Sequence, residues 1–392
     1  MKEWITLLMM MVLGCRESFC GTGRLTIPLD TGRSVVNADS IKRLVSRGIA
    51  RRDSGDFSGA IALFSLAIDL SPQFTPAYLN RAFCRVKLLD YRGAIDDYTE
   101  ALLISKSWEE SLEAYYNRGL TEALLADFKT AMSDFNYAIK LDPEYADAYY
   151  NRSILRGRMG DVNGQMEDIS MVIELKPADS YAFNSRGVIR SASGDFSGAM
   201  SDFNHSIELN NRNAEAYFNR ALIFYDLGKY ESSLADFDRA IELHPDAESF
   251  NRRGNVKRRM GDLSGAQSDY STAVKMQKDY CVAWYNLGLL NIDKEDYKQA
   301  IAYFDTALKW KPDYSFAYYH RGLCKGKLGD YKGEISDFTS TIEFKPDDEK
   351  AYFHRGVARF QTGDNAGGCE DLNKAAKLGS NEAYDFLMAH CE

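Results

Sequence analysis

The sequence predicts an all-α fold, a solenoid of about ten stacked helix pairs. A 34-residue period runs ten times along the chain, from Ile41 to Glu382. Small and large apolar residues recur at fixed places in each period, and glycine, aspartate and proline recur between them. A period of this length is typical of repeats that each contribute two helices and bury their apolar faces only against neighbouring repeats.

Positions within each repeat are numbered 1 to 34. Three residues, Glu109–Ser111, are inserted after the second repeat, and the sixth repeat is one residue short. The ten repeats begin at Ile41, Thr75, Leu112, Ala146, Ser180, Ala214, Ala247, Cys281, Ser315 and Glu349.

Two positions predict how the helices pack. Position 8 is Gly, Ala or Ser in all ten repeats, as at Gly254, and a small residue lets two helix backbones approach closely. Position 24 is always large and apolar, as at Tyr270, and supplies the bulk between the helices. Position 27 is mostly Ala, again for close approach.

The turn residues agree with this packing. Position 15 is Gly in seven repeats, and Gly accepts the left-handed backbone that ends a helix. Position 16 is Asp in nine repeats, where it can cap the next helix. Six of the eight prolines fall at position 32, where they stop the second helix. Each repeat is therefore predicted to form helix A at positions 2–14 and helix B at positions 17–30.

The eighth repeat contains the most complete set of signature residues: Trp284, Leu287, Gly288, Ala300, Phe304, Ala307 and Pro312. This set resembles the signature of the tetratricopeptide repeat (TPR) family, and the resemblance extends over residues 41–382. The eighth repeat departs from the family pattern at Asn291, where a tyrosine is usual. The resemblance implies a right-handed superhelix in which positions 2, 5, 6, 9 and 12 of helix A line a concave groove.

An ion pair is predicted inside most repeats. Position 7 is Arg in nine repeats and position 23 is Asp in eight, and these positions lie level across an antiparallel helix pair. The eighth repeat lacks both residues, with Leu287 and Tyr303 in their places. The alternative is that the arginine row binds phosphate or carboxylate groups of a ligand.

Amide and aromatic side chains occupy the predicted groove. An amide both donates and accepts, so it can pair with a peptide group of any sequence. Position 6 carries an Asn row that resembles the asparagine ladder of the O-GlcNAc transferase superhelix: Asn80, Asn117, Asn151, Asn219 and Asn286. Position 5 adds an aromatic row that suits an extended peptide or a partner helix, comprising Tyr116, Tyr150, Phe218, Tyr285 and Tyr319.

Two alternatives bear on this groove. The Asn side chains could bond only to neighbouring repeats, and the aromatic rings could fill only the core between repeats. Position 5 carries Val45, Leu79 or Tyr116 where the carboxylate clamp for chaperone tails needs Lys, so a chaperone co-factor role is not expected.

The first 14 residues predict a signal peptide. Lys2 precedes an apolar run from Trp4 to Leu13, which is too short to span a bilayer but suits the apolar core of a signal peptide. The run ends at Gly14 and Cys15, which resembles the lipobox of bacterial lipoproteins and implies lipidation of Cys15. The alternatives are a soluble periplasmic or secreted protein and an untargeted chain. Residues 15–38 are predicted to be a flexible tether.

The C-terminal residues of the sequence predict a capping helix. The last ten residues, 383–392, should form a capping helix over a solenoid that spans 39–382. Cys369 on the last helix B and Cys391 in this segment could form a disulfide in an exported protein, and the alternative is two unlinked thiols.

Composition limits the function. The formal net charge is −9, which argues against nucleic acid as a partner because phosphate binding needs clustered Lys and Arg. The five histidines are scattered, although His320 and His354 share position 6, where a metal or proton role is the alternative to lining the groove. No nucleophile motif, phosphate loop or metal spacing occurs, so we expect no enzymatic activity, no cofactor and no metal.

The sequence therefore predicts a binding scaffold. The first hypothesis is a lipid-anchored protein of the bacterial cell envelope that holds a peptide or a partner protein in its groove, with the lipid as its contact with the membrane. The second is a structural or assembly factor of an envelope complex that acts through its convex face or its ends.

Overall fold

The computed structural model describes residues 38–391. This part of the chain contains 21 helices and no strand, so the predicted all-α repeat fold is confirmed. None of these helices is both long enough and apolar enough to cross a membrane. The helices are α1 Ala38–Asp53, α2 Phe57–Leu70, α3 Thr75–Lys87, α4 Tyr91–Ile104, α5 Trp108–Leu124, α6 Phe128–Leu141, α7 Ala146–Arg158, α8 Val162–Leu175, α9 Ser180–Ala192, α10 Phe196–Leu209, α11 Ala214–Asp226, α12 Tyr230–Leu243, α13 Ala247–Arg259, α14 Leu263–Met276, α15 Cys281–Asp293, α16 Tyr297–Trp310, α17 Ser315–Lys327, α18 Tyr331–Phe344, α19 Glu349–Gln361, α20 Asn365–Lys377 and α21 Asn381–His390.

The chain divides into two compact units, with the boundary between Ile189 and Arg190. Unit 1 contains α1 to α8 and most of α9, and unit 2 contains the end of α9 and α10 to α21. Odd-numbered helices up to α19 are helix A of a repeat and even-numbered helices are helix B. Most helices A occupy positions 1–13, one residue earlier than predicted, while α1 and α5 begin before position 1. The helices B occupy positions 17–30 as predicted, except that α20 ends at position 29.

The A–B turns are built in the same way, except that repeat 6 has Lys229 in place of the capping aspartate. Position 15 has a positive φ in all ten repeats, including the three where it is not glycine: Leu89, Ala126 and Glu295. The aspartate at position 16 then accepts a hydrogen bond from the backbone N–H three residues later, as Asp161 does from Gly164 at 2.9 Å. The left-handed residue ends helix A and the aspartate starts helix B, so the two helices run back against each other.

The core of each repeat is filled by position 24. Tyr270 is fully buried, and a Cβ added to Gly254 at position 8 would come within 2.6 Å of its ring. The small residue at position 8 is therefore needed for the bulky one at position 24 to fit between helices A and B.

The insertion of three residues changes only one helix. Glu109–Ser111 are absorbed into α5, which has 17 residues where most helices A have 13. Ser107 caps this longer helix by accepting a hydrogen bond from the Glu110 N–H, and the Ser111 hydroxyl donates to the Ser107 carbonyl at 2.9 Å. Helix α5 therefore starts four residues before the first position of the repeat, and the core positions of the repeat keep their places.

The last helix packs on the tenth repeat. On α21, Ala383 is buried, and Phe386 and Leu387 pack against the same cluster as Leu372. A disulfide joins Cys369 on α20 to Cys391, whose Cα atoms lie 5.8 Å apart. Tyr384 and Met388 on the other side of α21 are exposed. Loop closure over 22 residues stabilises the cap by about 3 kcal/mol.

Candidate functional site

The predicted arginine–aspartate pair is present and bidentate in at least seven of the described repeats. In repeat 4, Arg152 Nε and Nη2 donate to Asp168 at 2.9 and 2.6 Å, and the Asp168 side chain is 3% exposed. The same two bonds join Arg81 to Asp97, Arg118 to Asp134, Arg220 to Asp236, Arg253 to Asp269, Arg321 to Asp337 and Arg355 to Asp371.

The same arginine also ties neighbouring repeats together. Arg152 Nη1 donates to Asn136 Oδ1 on helix B of the preceding repeat at 2.6 Å, and its guanidinium lies 5.3 Å from the centre of the Tyr149 ring. Equivalent contacts recur at Arg118, with Thr99 and Tyr115. Since these guanidinium groups are committed to contacts within the chain, the arginine row serves the fold and not a phosphate ligand.

A second cation supports the buried aspartate, and sequence reasoning missed it. Position 11 is Arg or Lys in seven repeats, a signal visible in the sequence. In repeat 4, Arg156 Nη1 lies 3.3 Å from Asp168 and donates to the Gly164 carbonyl at 2.7 Å. The same cation–aspartate contact is made by Arg85, Arg190, Lys257, Lys325 and Arg359.

Repeat 3 carries an acid where these repeats carry the cation. Glu122 occupies position 11, is 5% exposed, and its Oε1 lies 4.0 Å from Arg118 Nε. Its Oε2 is the one buried side-chain polar atom in the described residues that has no hydrogen-bond partner. Burial and the neighbouring Asp134 raise the pKa of Glu122 to about 7.

In unit 1 the Asn row is bound to its own helices by one half of each amide. The Nδ2 groups of Asn80, Asn117 and Asn151 donate to the carbonyl four residues earlier, at 2.8, 2.9 and 2.9 Å. Asn80 Oδ1 also accepts from Arg52 at 2.6 Å, and Asn151, which is 7% exposed, also donates to the Tyr116 hydroxyl. Asn117 remains half-buried with its Oδ1 available.

In unit 2 the row is less uniform. Asn219 is half-buried, while Asn286 is 7% exposed and donates to Asn251 Oδ1 of the preceding repeat at 2.8 Å. At the same position, His320 contacts the Tyr285 hydroxyl at 3.2 Å, and burial lowers the pKa of both His320 and His354. Among the described residues, no three His, Cys, Asp or Glu side chains are grouped to hold a metal ion.

The aromatic row packs mainly into the core between repeats. Tyr116 is 8% exposed and contacts the rings of Phe135 and Tyr145. Phe218, Tyr285 and Tyr319 each contact the position 24 ring of their own repeat, namely Phe237, Phe304 and Phe338. Tyr150 is half-buried, with its hydroxyl 3.4 Å from Ser185 Oγ. These contacts match the packing alternative for the aromatic rings.

Position 9, one of the predicted groove positions, supplies apolar surface beside the amides. It is apolar in nine repeats, and in unit 1 it reaches the surface most at Val188, which is 44% exposed. A cleft between repeats 2 and 3 lies next to this row. Its lining residues are Phe83, Val86, Tyr98, Asn117, Leu120, Thr121 and Leu124.

Charged side chains border this cleft. The Arg52 guanidinium lies 5.5 Å and Lys87 Nζ lies 5.0 Å from the centre of the Phe83 ring. Arg52 is also paired with Asp53 at 2.8 Å. We call the cleft together with Asn80 and Asn117 the unit 1 amide cleft. The predicted lipidation residue, Cys15, lies outside the described residues, as do the signal peptide and nearly all of the tether.

Comparison with known proteins gives the repeat type. Models of the tetratricopeptide repeat match residues 112–145, 214–246 and 282–314. A curated relative, tetratricopeptide repeat protein 36 of Danio rerio, is 37% identical over 65 residues, which are 17% of this chain and 35% of the relative. The chain thus matches about a third of that relative's length.

This chain is also similar to solved structures. A tetratricopeptide repeat protein from Parabacteroides merdae ATCC 43184 is 21% identical, with a TM-score of 0.51 over 64% of this chain and 99% of that one. The APC/C hetero-tetramer Cut9–Hcn1 is 14% identical, with a TM-score of 0.48 over 91% of this chain and 90% of that one. The three matched segments are thus similar to tetratricopeptide repeats, and the Parabacteroides merdae protein shares the helical repeat fold.

Proposed function

We propose that this chain is a non-enzymatic scaffold that binds an extended peptide, or an extended segment of a partner protein, on the helix A face of unit 1. The observation that carries the proposal is the unit 1 amide cleft. There, a half-buried amide whose oxygen accepts no hydrogen bond from the described part of the chain stands beside the partly exposed side chains of Phe83 and Leu124.

The chemistry of the cleft suits a peptide main chain. Asn117 Nδ2 is held by the Glu113 carbonyl, which orients Oδ1 as an acceptor for a peptide N–H. Phe83 and Leu124, which are both partly exposed, offer apolar surface to a neighbouring side chain of the peptide. Main-chain bonding with side-chain pockets is a common way for proteins to recognise extended segments.

We propose a smaller set of binding residues than the whole Asn row. Asn151 and Asn286 are buried and bonded to adjacent repeats, and both halves of the Asn80 amide are bonded within the chain. Asn117 is the member of the row that we propose to contact the ligand, and the half-buried Asn219 is the corresponding candidate in unit 2. The aromatic side chains at position 5 pack into the core behind these amides.

The test compares two identical substitutions on opposite faces. Asn117→Ala removes the proposed acceptor, whereas Asn163→Ala truncates an exposed asparagine near the start of helix B in repeat 4. We expect Asn117→Ala to weaken capture of the partner about fivefold to tenfold, the worth of one hydrogen bond, and Asn163→Ala to leave it unchanged. The readout is quantitative pull-down after crosslinking in native cells, with far-UV circular dichroism to confirm folding.

A second candidate function is assembly through the ends or the helix B face. Tyr384 and Met388 favour it, since they leave α21 with exposed apolar surface at the end of the repeat array, which is usually polar. Under this alternative, Tyr384→Ser combined with Met388→Ser abolishes capture and Asn117→Ala leaves it unchanged.

We further propose that Cys15 is lipidated and anchors the chain to the bacterial cell envelope. Several acyl chains anchor a protein stably because each buried methylene contributes about 0.8 kcal/mol. Metabolic labelling with a palmitate analogue tests this. We expect label on the wild type and none on Cys15→Ala, and equal labelling of both would reject the anchor.

A further inference from the structure

Repeat 3 has a feature that the binding proposal does not use. Its position 11 residue, Glu122, is an acid set against a buried acid, and it is the one acidic residue at that position in the ten repeats. In six repeats the corresponding residue is a cation in contact with the aspartate at position 23.

The site holds more negative charge than its one cation neutralises. Arg118 is committed to Asp134 through Nε and Nη2, at 2.7 and 2.8 Å, and its Nη1 donates to Thr99. The charged groups that act on Glu122 from the helices around it are Arg118 on α5, Asp134 on α6 and Asp127 in the turn between them. Glu122 and Asp134 are 5% and 2% exposed, so water screens their repulsion poorly.

Protonation of Glu122 removes the excess negative charge. A neutral carboxyl at Glu122 costs far less to bury than a carboxylate, and it removes the repulsion with Asp134. The orphaned Oε2 fits a group that carries no charge in the folded state, since a buried carboxylate oxygen without a partner is costly.

We infer that repeat 3 is a proton-linked weak point of unit 1: the helix pair α5–α6 is tightly closed when Glu122 is protonated and opens locally when that proton is lost. Opening would disturb Asn117, which lies on α5 five residues before Glu122. Control of ligand binding by pH therefore rests on the proposed function, while the opening itself does not.

The sign of the pH dependence follows from the number of protons that the folded and unfolded chains bind. Between pH 4.5 and about 7 the unfolded chain has released the Glu122 proton and the folded chain still holds it, so stability of the helix pair falls as pH rises. Above about pH 8 both states are ionised and the loss is complete.

Native-state hydrogen exchange of the intact chain tests the inference without any ligand. The segment 108–141 is compared with 146–175, where Arg156 takes the place of Glu122. We expect the protection of 108–141, corrected for intrinsic exchange, to fall on the order of 100-fold from pH 5 to 8.5 while 146–175 stays level. Parallel behaviour of the two segments would overturn the inference.

Two variants test whether the pH-dependent loss of protection is caused by the Glu122 carboxyl. Glu122→Gln keeps the shape and removes the charge, and Glu122→Arg restores the cation of the other repeats. We expect 108–141 to stay protected at pH 8.5 in both variants, and a wild-type pH response in Glu122→Gln would reject the role of Glu122. Asn117→Ala should keep the pH response, so failure of the binding proposal is distinguishable from failure of this one.

Discussion

Repeats 3 and 4 of unit 1 share a backbone plan but hold their buried aspartates differently. Asp168 in repeat 4 lies between two guanidinium groups, those of Arg152 and Arg156. Asp134 in repeat 3 has one, that of Arg118, and faces the carboxyl of Glu122 instead of a second cation. The comparison shows that the A–B hairpin forms with a single bidentate pair in repeat 3, and we infer that the second cation sets how firmly a hairpin stays closed.

Removal of the arginine at position 7 should give the largest difference in stability between repeats 3 and 4. Arg118→Leu leaves Asp134 buried without a cation, and we expect a loss of about 3–5 kcal/mol in the free energy of unfolding at pH 7. Arg152→Leu should cost less, about 2 kcal/mol, because Arg156 still neutralises Asp168. Urea unfolding followed by far-UV circular dichroism measures both, and equal losses would contradict the role given to position 11.

Substitution of the position 11 residues should give the second-largest change in the free energy of unfolding. Glu122→Gln should stabilise the chain by about 3 kcal/mol at pH 8, falling to nothing below pH 4.5, because only the wild type must bury a carboxylate. The converse substitution, Arg156→Glu, should give repeat 4 the pH response of repeat 3. Urea midpoints at pH 4.5, 6 and 8 check this, and a Glu122→Gln gain that does not change with pH would contradict it.

Much of this comparison could be read from the sequence. The 34-residue period placed Arg118, Arg152 and their aspartates level across the turn because both helices are amphipathic and their turns have fixed length. The second cation was equally visible at Arg85 and Arg156, but its meaning needed the distance to the aspartate. The hydrogen-bond partners of the asparagines could not be predicted from the sequence. An Asn at position 6 can face solvent, bond to the carbonyl four residues earlier or bond to an adjacent repeat, and the sequence pattern is the same in each case.

Packing at position 8 offers a smaller contrast. Repeat 3 has Gly119 against Phe135, where an added Cβ would lie 3.1 Å from the ring, and repeat 4 has Ser153 with Ile169 at position 24. Gly119→Ser should destabilise by about 1–3 kcal/mol through overpacking. The double variant with Phe135→Ile should recover much of the loss, as a double-mutant cycle would measure. Strict additivity would show that the two sites do not interact.

The turn residue should give the smallest effect. Ala126 in repeat 3 has a φ of 61° where Gly160 in repeat 4 has 80°. Because the left-handed region costs a residue with a Cβ about 1 kcal/mol, Ala126→Gly should stabilise slightly and Gly160→Ala should destabilise by a similar amount. Thermal unfolding midpoints that shift in the same direction for both variants would contradict this account.

The proposed binding surface is the helix A face of unit 1, and site-specific crosslinking tests it most directly. A photo-crosslinking amino acid can be placed at Tyr181 on helix A of repeat 5 and, as a matched control, at Tyr137 on helix B of repeat 3; the two are 54% and 48% exposed. We expect a defined partner to crosslink at Tyr181, less strongly when Asn117→Ala is added, and not at Tyr137. Crosslinking at Tyr137 alone, or at Tyr181 with no dependence on Asn117, would contradict the proposed surface.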